Sequence, residues 1–263
     1  MKNGKVIKYT ALFLIAILVM GMLTGCNIDL SDEVFTVGTK LIGSKTLKYR
    51  ITNEEEDIDG IVTFKYVSDE ETGLTKMQSY ADFETFDYKA EVIFDTETLI
   101  PVSSYKGNGY FDGSAEDWSV TSQYGAETVE ISATQEEENA GKSVKVPAQY
   151  IDNEMINLTL GCIELSEGAM VDINVLISES AMFAPYTITN TGKETLTIGE
   201  NSYECVKYTA KYAGFSLFTA KVATLWFTDD DSRMLVRYEN NNQIMEFLEV
   251  TVDEDVTAWL FEK

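Results

Sequence analysis

From Ser44 onward the chain alternates apolar and polar residues, and that period of two limits the folds open to it. Leu47, Tyr49 and Ile51 are separated by Lys48 and Arg50. Val62, Phe64 and Tyr66 flank Thr63 and Lys65, and Tyr88, Ala90, Val92 and Phe94 share a face opposite Lys89 and Glu91. A period of two places successive side chains on opposite faces of a strand. One buried face and one wet face are characteristic of antiparallel sheets. The second half repeats the pattern: Val206, Tyr208 and Ala210 share one face within 203–212, and Phe218, Ala220, Val222, Thr224 and Trp226 share another. Shorter strands are expected over 128–133, 143–146, 171–177, 186–191, 195–198, 234–238 and 243–250. Asn53–Asp57, Asp69–Gly73 and Lys106–Gly109 read as turns, and Gln135–Gly141 as an acidic loop with Gly141 turning. The whole chain holds three prolines, so few of these runs are interrupted by a residue that cannot donate to a ladder.

The period changes once. Ile151, Met155, Leu158, Cys162 and Leu165 recur at helical spacing. Asp152 or Asn153 can cap the first turn, Glu154 suits the positive end of the dipole, and Gly168 follows as a stop. Gly161 weakens this helix by up to ~1 kcal/mol relative to alanine. The expected fold is mainly β, an antiparallel sheet with one short central helix near 152–165 that turns Cys162 toward the sheet.

The first 26 residues are of another kind. Lys2, Lys5 and Lys8 precede an apolar run from Ala11 to Met22, which is short of the ~20 residues of a transmembrane helix. Leu23-Thr24-Gly25-Cys26 closes it, and the whole has the parts of an export signal. The last four residues resemble a bacterial lipobox. That resemblance implies cleavage before Cys26 and a diacylglyceryl group on its thiol, with the protein held at the cell membrane and facing outside the cytoplasm. Two acyl chains suffice for stable anchoring where one is marginal. The chain thus divides into a signal peptide (1–25), a lipidated tether (26–44), a β domain (45–252) and an acidic tail (253–263). Val34–Val37 is expected to pack on the edge of the domain.

Forty-four acids against twenty bases give a formal charge of −24. Removing residues 1–25 discards lysines and no acid, so the remainder is more acidic still. Such a field opposes binding to nucleic acid, which needs cationic neutralisation of phosphates. The chain has no histidine, so it lacks the usual general base and the commonest metal ligand. A Ser-His-Asp triad and a Cys-His nucleophile are excluded, and neither a Gly-x-x-x-x-Gly-Lys phosphate loop nor a Gly-x-Ser-x-Gly elbow occurs. Acid pairs are too numerous to specify glycoside hydrolysis. Asp229-Asp230-Asp231-Ser232 lacks the spacing of a calcium loop and reads as a hairpin turn. No enzyme, cofactor or metal is expected. Cys162 and Cys205 have two open readings, a disulfide outside the cytoplasm or two buried thiols.

Glu91–Val102 and Leu225–Val236 echo one another: each ends a strand, turns through acids, and starts the next strand on an apolar pair. This is either a duplicated half-sheet or the likeness of any two hairpins in an acidic β chain, and the shared positions are few. The segments Trp226–Arg237 and Phe94–Val102 also resemble the Trp-x-Asp…Leu-Pro-Val-Arg hairpin of periplasmic lipoprotein-carrier proteins and of an uncharacterised exported family related to them. The resemblance spans residues 45–251. It implies a curved sheet or half-barrel wrapped on helix, with acyl chains bound on the concave face. On such a sheet the inward-reading aromatics Phe64, Tyr66, Tyr88, Phe94, Tyr208, Phe218 and Trp226 either fill the core or line a groove for a hydrophobic ligand. Two functions follow: an envelope lipoprotein that binds a hydrophobic or cell-envelope ligand without catalysis, or a lipid-anchored interaction or structural module.

Overall fold

The computed structural model describes residues 36–38, 43–53, 58–83, 86–108, 118–135, 138–214, 222–240 and 242–252. The elements run β1 (Thr36–Val37), β2 (Ser44–Asn53), β3 (Ile58–Asp69), β4 (Leu74–Phe83), β5 (Phe86–Asp95), β6 (Pro101–Asn108), β7 (Trp118–Tyr124), β8 (Thr128–Gln135), β9 (Glu138–Lys145) and β10 (Tyr150–Asp152). A helical segment follows, with the α-helix α1 (Ile156–Thr159) between two 3₁₀ turns, Asn153–Met155 and Leu160–Cys162. Then come β11 (Ile163–Glu164), β12 (Met170–Ile177), β13 (Met182–Ile198), β14 (Asn201–Tyr212), β15 (Val222–Thr228), β16 (Leu235–Asn240) and β17 (Gln243–Val252). Among the described residues, fifteen of these strands form one sheet, in the order β10-β12-β13-β14-β15-β16-β17-β2-β3-β4-β5-β6-β7-β8-β9.

The order shows two antiparallel meanders, β2–β9 and β12–β17, joined where the last strand pairs with the first. Met245 lies opposite Ile51, and Phe247 opposite Tyr49. The period of two then carries one largely apolar face from β14 round to β7. Tyr208, Leu225, Tyr238, Met245 and Ile51 are successive cross-strand partners. So are Leu47, Phe64, Ser79, Ala90, Lys106 and Val120. Sheets of this many strands curl because each strand twists against its neighbour. Here the inward face closes over one core, in which the Tyr49 ring meets Phe64 and Phe247 edge-on and its hydroxyl donates to the Leu235 carbonyl at 3.0 Å.

The curl brings the two ends of the sheet together without joining their ladders. Leu176 on β12 packs with Val120, Val129 and Ile131 of β7 and β8, and Phe183 packs against this cluster. Tyr124 stacks on Tyr150 at 5.9 Å, and the Lys142 ammonium donates to the Ala181 carbonyl at 3.0 Å. The seam is therefore made by side chains.

Three turns at one end of the barrel share a design. Asp69 accepts from the backbone of Glu71 and Thr72, Asp95 from that of Glu97 and Thr98, and Asp230 from that of Ser232. Each ends on a residue with positive φ: Gly73, Leu99 and Arg233. The sequence echo is a turn type that recurs in the first meander as well as between β15 and β16.

Several expectations need correction. The helical segment covers 153–162 rather than 152–165, because Asp152 extends in β10 and Ile163 and Glu164 extend in β11. Asp152 supplies the cap, accepting from the Glu154 N–H at 2.8 Å, and Cys162 is buried in the core as expected. Lys106–Asn108 belong to β6 and Gly141 to β9, so neither the turn nor the loop assigned there holds. The runs 186–191 and 195–198 are one strand, β13, bulged between Asn190 and Gly192. In β15 the buried inward face is Leu225 and Phe227, whereas Val222 is exposed and Trp226 lies on the outer side. Alternation picked the wrong face here because Trp226 has its own apolar cover, Cys205 and Val236. Cys162 and Cys205 are free thiols in separate clusters on opposite sides of the sheet, so the disulfide reading fails.

Gly161 is explained by packing. A Cβ there would sit 2.5 Å from Phe227 Cδ1 and 2.7 Å from the Arg233 carbonyl oxygen. The helical segment can lie on β15 only with hydrogen at this position. Gly161→Ala should therefore lose about 1–3 kcal/mol by overpacking, despite its better helix propensity. Urea denaturation measures this, and an unchanged or raised midpoint would contradict the close approach.

Candidate functional site

The helical segment lies across the concave face and leaves space on both sides of Ile156. The larger space, about 240 Å³, is bounded by Ile51, Val62, Phe64, Ala81, Tyr88 and Met245 from the sheet and by Ile156 and Asn157 from the helix. A smaller one, about 80 Å³, lies against Leu160, Ile173, Val175, Ile188, Ala210 and Leu225. Asn153, Ile156, Tyr238 and Asn240 border both. The two are neighbouring lobes that share these four residues as their common wall. They are at the end of the barrel carrying the β2–β3 and β16–β17 turns, opposite the end where the chain enters β2.

A larger recess of about 480 Å³ lies at that opposite end, among Glu164, Glu167, Lys193, Asp229 and Arg233. Its two cations share one acid: the Lys193 ammonium pairs with Asp229, and Arg233 lies 3.5 Å from the same carboxylate. Asp230 is held below the usual carboxyl range, against partial burial, by hydrogen bonds from Ser232 and Thr228. Asp230 serves the hairpin, accepting from Ser232 and Thr228. Despite its size, the recess is a less suitable ligand site than the apolar lobes.

The structure distributes the seven aromatics unevenly. Phe64 and Tyr88 line the larger lobe. Tyr66 and Phe94 are packed in the core and border neither lobe. Tyr208 borders the polar recess and donates to the Ile163 carbonyl at 3.3 Å. Trp226 is on the outer face beneath the Lys207 ammonium, 5.0 Å from its ring, with its indole N–H donating to Glu194. Phe218 and Cys26 lie outside the described residues. Sequence reasoning missed Ile51, Val62, Ala81, Tyr238 and Met245. Val62 and Ala81 were findable in principle, since Val62 shares a face with Phe64 and Ala81 lies opposite Tyr88, whereas Tyr238, Met245 and Ile51 lie opposite one another and directly opposite none of the chosen aromatics.

It also missed the charged group beside the cavity. Lys106, a β6 residue facing inward, is 2% exposed. Its ammonium lies 2.7 Å from Glu179 and 3.2 Å from Glu154. Asp152, completely buried, accepts from the Tyr124 hydroxyl at 2.5 Å. Burial pushes the Asp152 carboxyl above its ordinary range, against the pull of Lys106. For Lys106 burial acts downward, but Glu154, Glu179 and Asp152 outweigh it and hold the ammonium above the usual lysine value. The sequence held no signal for it: the β6 residues in phase with Lys106, Ser104 and Asn108, are themselves polar.

The fold has counterparts among known proteins. A family model described as a protein of unknown function, DUF3108, matches residues 35–246. The chain belongs to that family. Among solved structures, the chain is similar to the beta-barrel-like protein of domain of unknown function DUF1849 from Brucella abortus. The TM-score is 0.52 at 8% identity, covering 82% of this chain and 100% of that one. At that identity the likeness concerns the fold alone. No curated protein matches.

Two outcomes test the buried groups of this DUF3108 chain. With its carboxyl raised, the folded state holds the Asp152 proton more tightly than the unfolded chain does. Asp152 therefore subtracts stability as pH rises from about 4 through its raised value. Asp152→Asn should flatten that part of the urea midpoint's pH profile, and superimposable profiles would contradict the assignment. Lys106 acts at the other end of the scale: its contribution is complete below the ordinary lysine value near 10.4 and fades above it. Burial pushes the Cys162 thiol to about 12 and the Cys205 thiol to about 11. Both should resist alkylation at pH 8 in the native protein and react after denaturation, as read by peptide mass mapping. Rapid native labelling of either would contradict its burial.

Proposed function

We propose that this is a lipid-anchored protein of the bacterial envelope that holds an apolar ligand inside its curled sheet without reacting on it. The observation that carries this reading is the apolar cavity between the concave face and the helical segment. Ligand sites are typically apolar hollows with a few placed polar groups, often in the mouth of a barrel. The cavity's fringe has that character, with Asn153, Asn157, Asn240 and Gln243 around an aliphatic and aromatic lining. Its 240 Å³ is somewhat below the roughly 300–1,000 Å³ of ordinary small-molecule sites, which suits one slender chain. The resemblance of its hairpins to those of lipoprotein carriers points the same way.

The anchor rests on Cys26 and the residues before it, which lie outside the described structure. An outward-facing protein tethered by its N-terminus would carry the cavity on the end of the barrel away from the tether. The ligand would then meet the cavity from the aqueous side. One observation favours the alternative of an interaction module: β9, at the margin of the sheet, is exposed along nearly its whole length from Glu138 to Lys145. Exposed margins of this kind pair with other chains unless charges discourage it.

Native mass spectrometry after gentle purification separates the two. A retained apolar molecule, lost in Asn157→Trp, is the expected result; an empty protein that pairs with another through β9 would support the alternative instead. For the anchor, Cys26→Ala should abolish cleavage and release the protein from membranes. Unchanged processing and sedimentation would refute lipid attachment at that thiol.

A further inference from the structure

The polar groups at the cavity are unusual for what they omit. Among the described residues lining either lobe there is no lysine and no arginine. Apart from one carboxylate, the polar groups on the lining are neutral: the amides of Asn53, Asn153, Asn157, Asn240 and Gln243 and the hydroxyls of Ser79, Tyr80, Tyr88 and Tyr238, of which Tyr238 and Asn240 already bond each other. One ionisable carboxylate, Glu154, reaches the lining, and Lys106 already engages it from behind. Asn153 donates to the same Glu154 oxygen at 3.4 Å. The fixed charge nearest the cavity is therefore an acid whose counter-ion lies on the far side, within a chain of formal charge −24.

We propose that the cavity selects a neutral single-chain amphiphile, of the monoacylglycerol or fatty-alcohol type, and rejects fatty-acid and phosphate headgroups. The inference rests on the ligand reading above and refines it. An anionic headgroup brought here would leave water without gaining a cation, and an unpaired buried charge is costly. Amides and hydroxyls, by contrast, both donate and accept, and so satisfy hydroxyl and ester groups. A cationic head gains little, because the Glu154 carboxylate is spoken for.

The experiment is displacement of Nile red, a neutral apolar dye, from the intact purified protein at pH 8. The competitors share a ten-carbon chain: decanol, monodecanoylglycerol, decanoate and decylamine. The neutral pair should displace the dye at concentrations about ten-fold or more below decanoate, the equivalent of about 1.4 kcal/mol. Asn157→Lys should narrow that gap by improving decanoate. Decanoate or decylamine competing as well as decanol would overturn the selectivity while leaving the cavity a ligand site. If neither the dye nor any competitor binds, the ligand reading itself falls and takes the inference with it.

Discussion

The barrel depends on a cluster of charges placed where its sheet fails to close. The ladder stops at β9 on one side and β10 on the other, and among the described residues no strand pairing joins them. Beside the packing of Leu176, the Tyr124–Tyr150 stack and the Lys142 bond to Ala181, what crosses the seam is Lys106 from β6, reaching Glu154 at the helical segment and Glu179 beyond β12, with Tyr124 of β7 bound to Asp152 of β10. Buried ion groups add little net stability over well-packed apolar residues, since desolvation offsets most of the attraction. Leaving one partner without the others is what costs heavily. The cluster therefore fixes position: Lys106 is held between Glu154 and Glu179, and that contact sets the curl and the place of the helix together.

The cavity follows from the same constraint. Asp152 caps the first helical turn while bonding to β7, so the segment starts at a fixed point on the seam. Its other end lies on β15, where Gly161 permits contact with Phe227. Held at both ends, the segment spans the concave face rather than sinking into it. Ile156 then borders both lobes of the unfilled interior. The chain's first and last long strands meet at β2 and β17, far from the seam in sheet order, so closure of the sheet and closure of the barrel are separate events.

Much of the fold was legible because period-two alternation speaks directly of burial. Leu47, Tyr49, Ile51, Val62, Phe64, Tyr88, Ala90, Val92 and Phe94 all face the core as the pattern required. It failed where both faces of a strand are covered, as at Trp226, and where the strand carried few apolar residues, as in β9. The helix was foreseen with its cap but made too long, because Ile151 and Leu165 continue the spacing while the backbone there is extended. The site was less legible. Lining a cavity and filling a core call for the same residue types, so Phe64 and Phe94 look alike in sequence and differ only in what lies above them. Lys106 was invisible as a site residue because its partners come from β10 and beyond, brought near by a curl that no local pattern encodes.

Hydrogen exchange of Lys106→Met, followed by mass spectrometry, tests the central claim that this cluster holds the seam and the helical segment as one unit. Exchange should rise together in 103–108, 118–124 and 150–162, while the β2–β4 amides keep the protection of the parent. Faster exchange spread evenly over the barrel, or none at the seam, would show that the curl is held by something else.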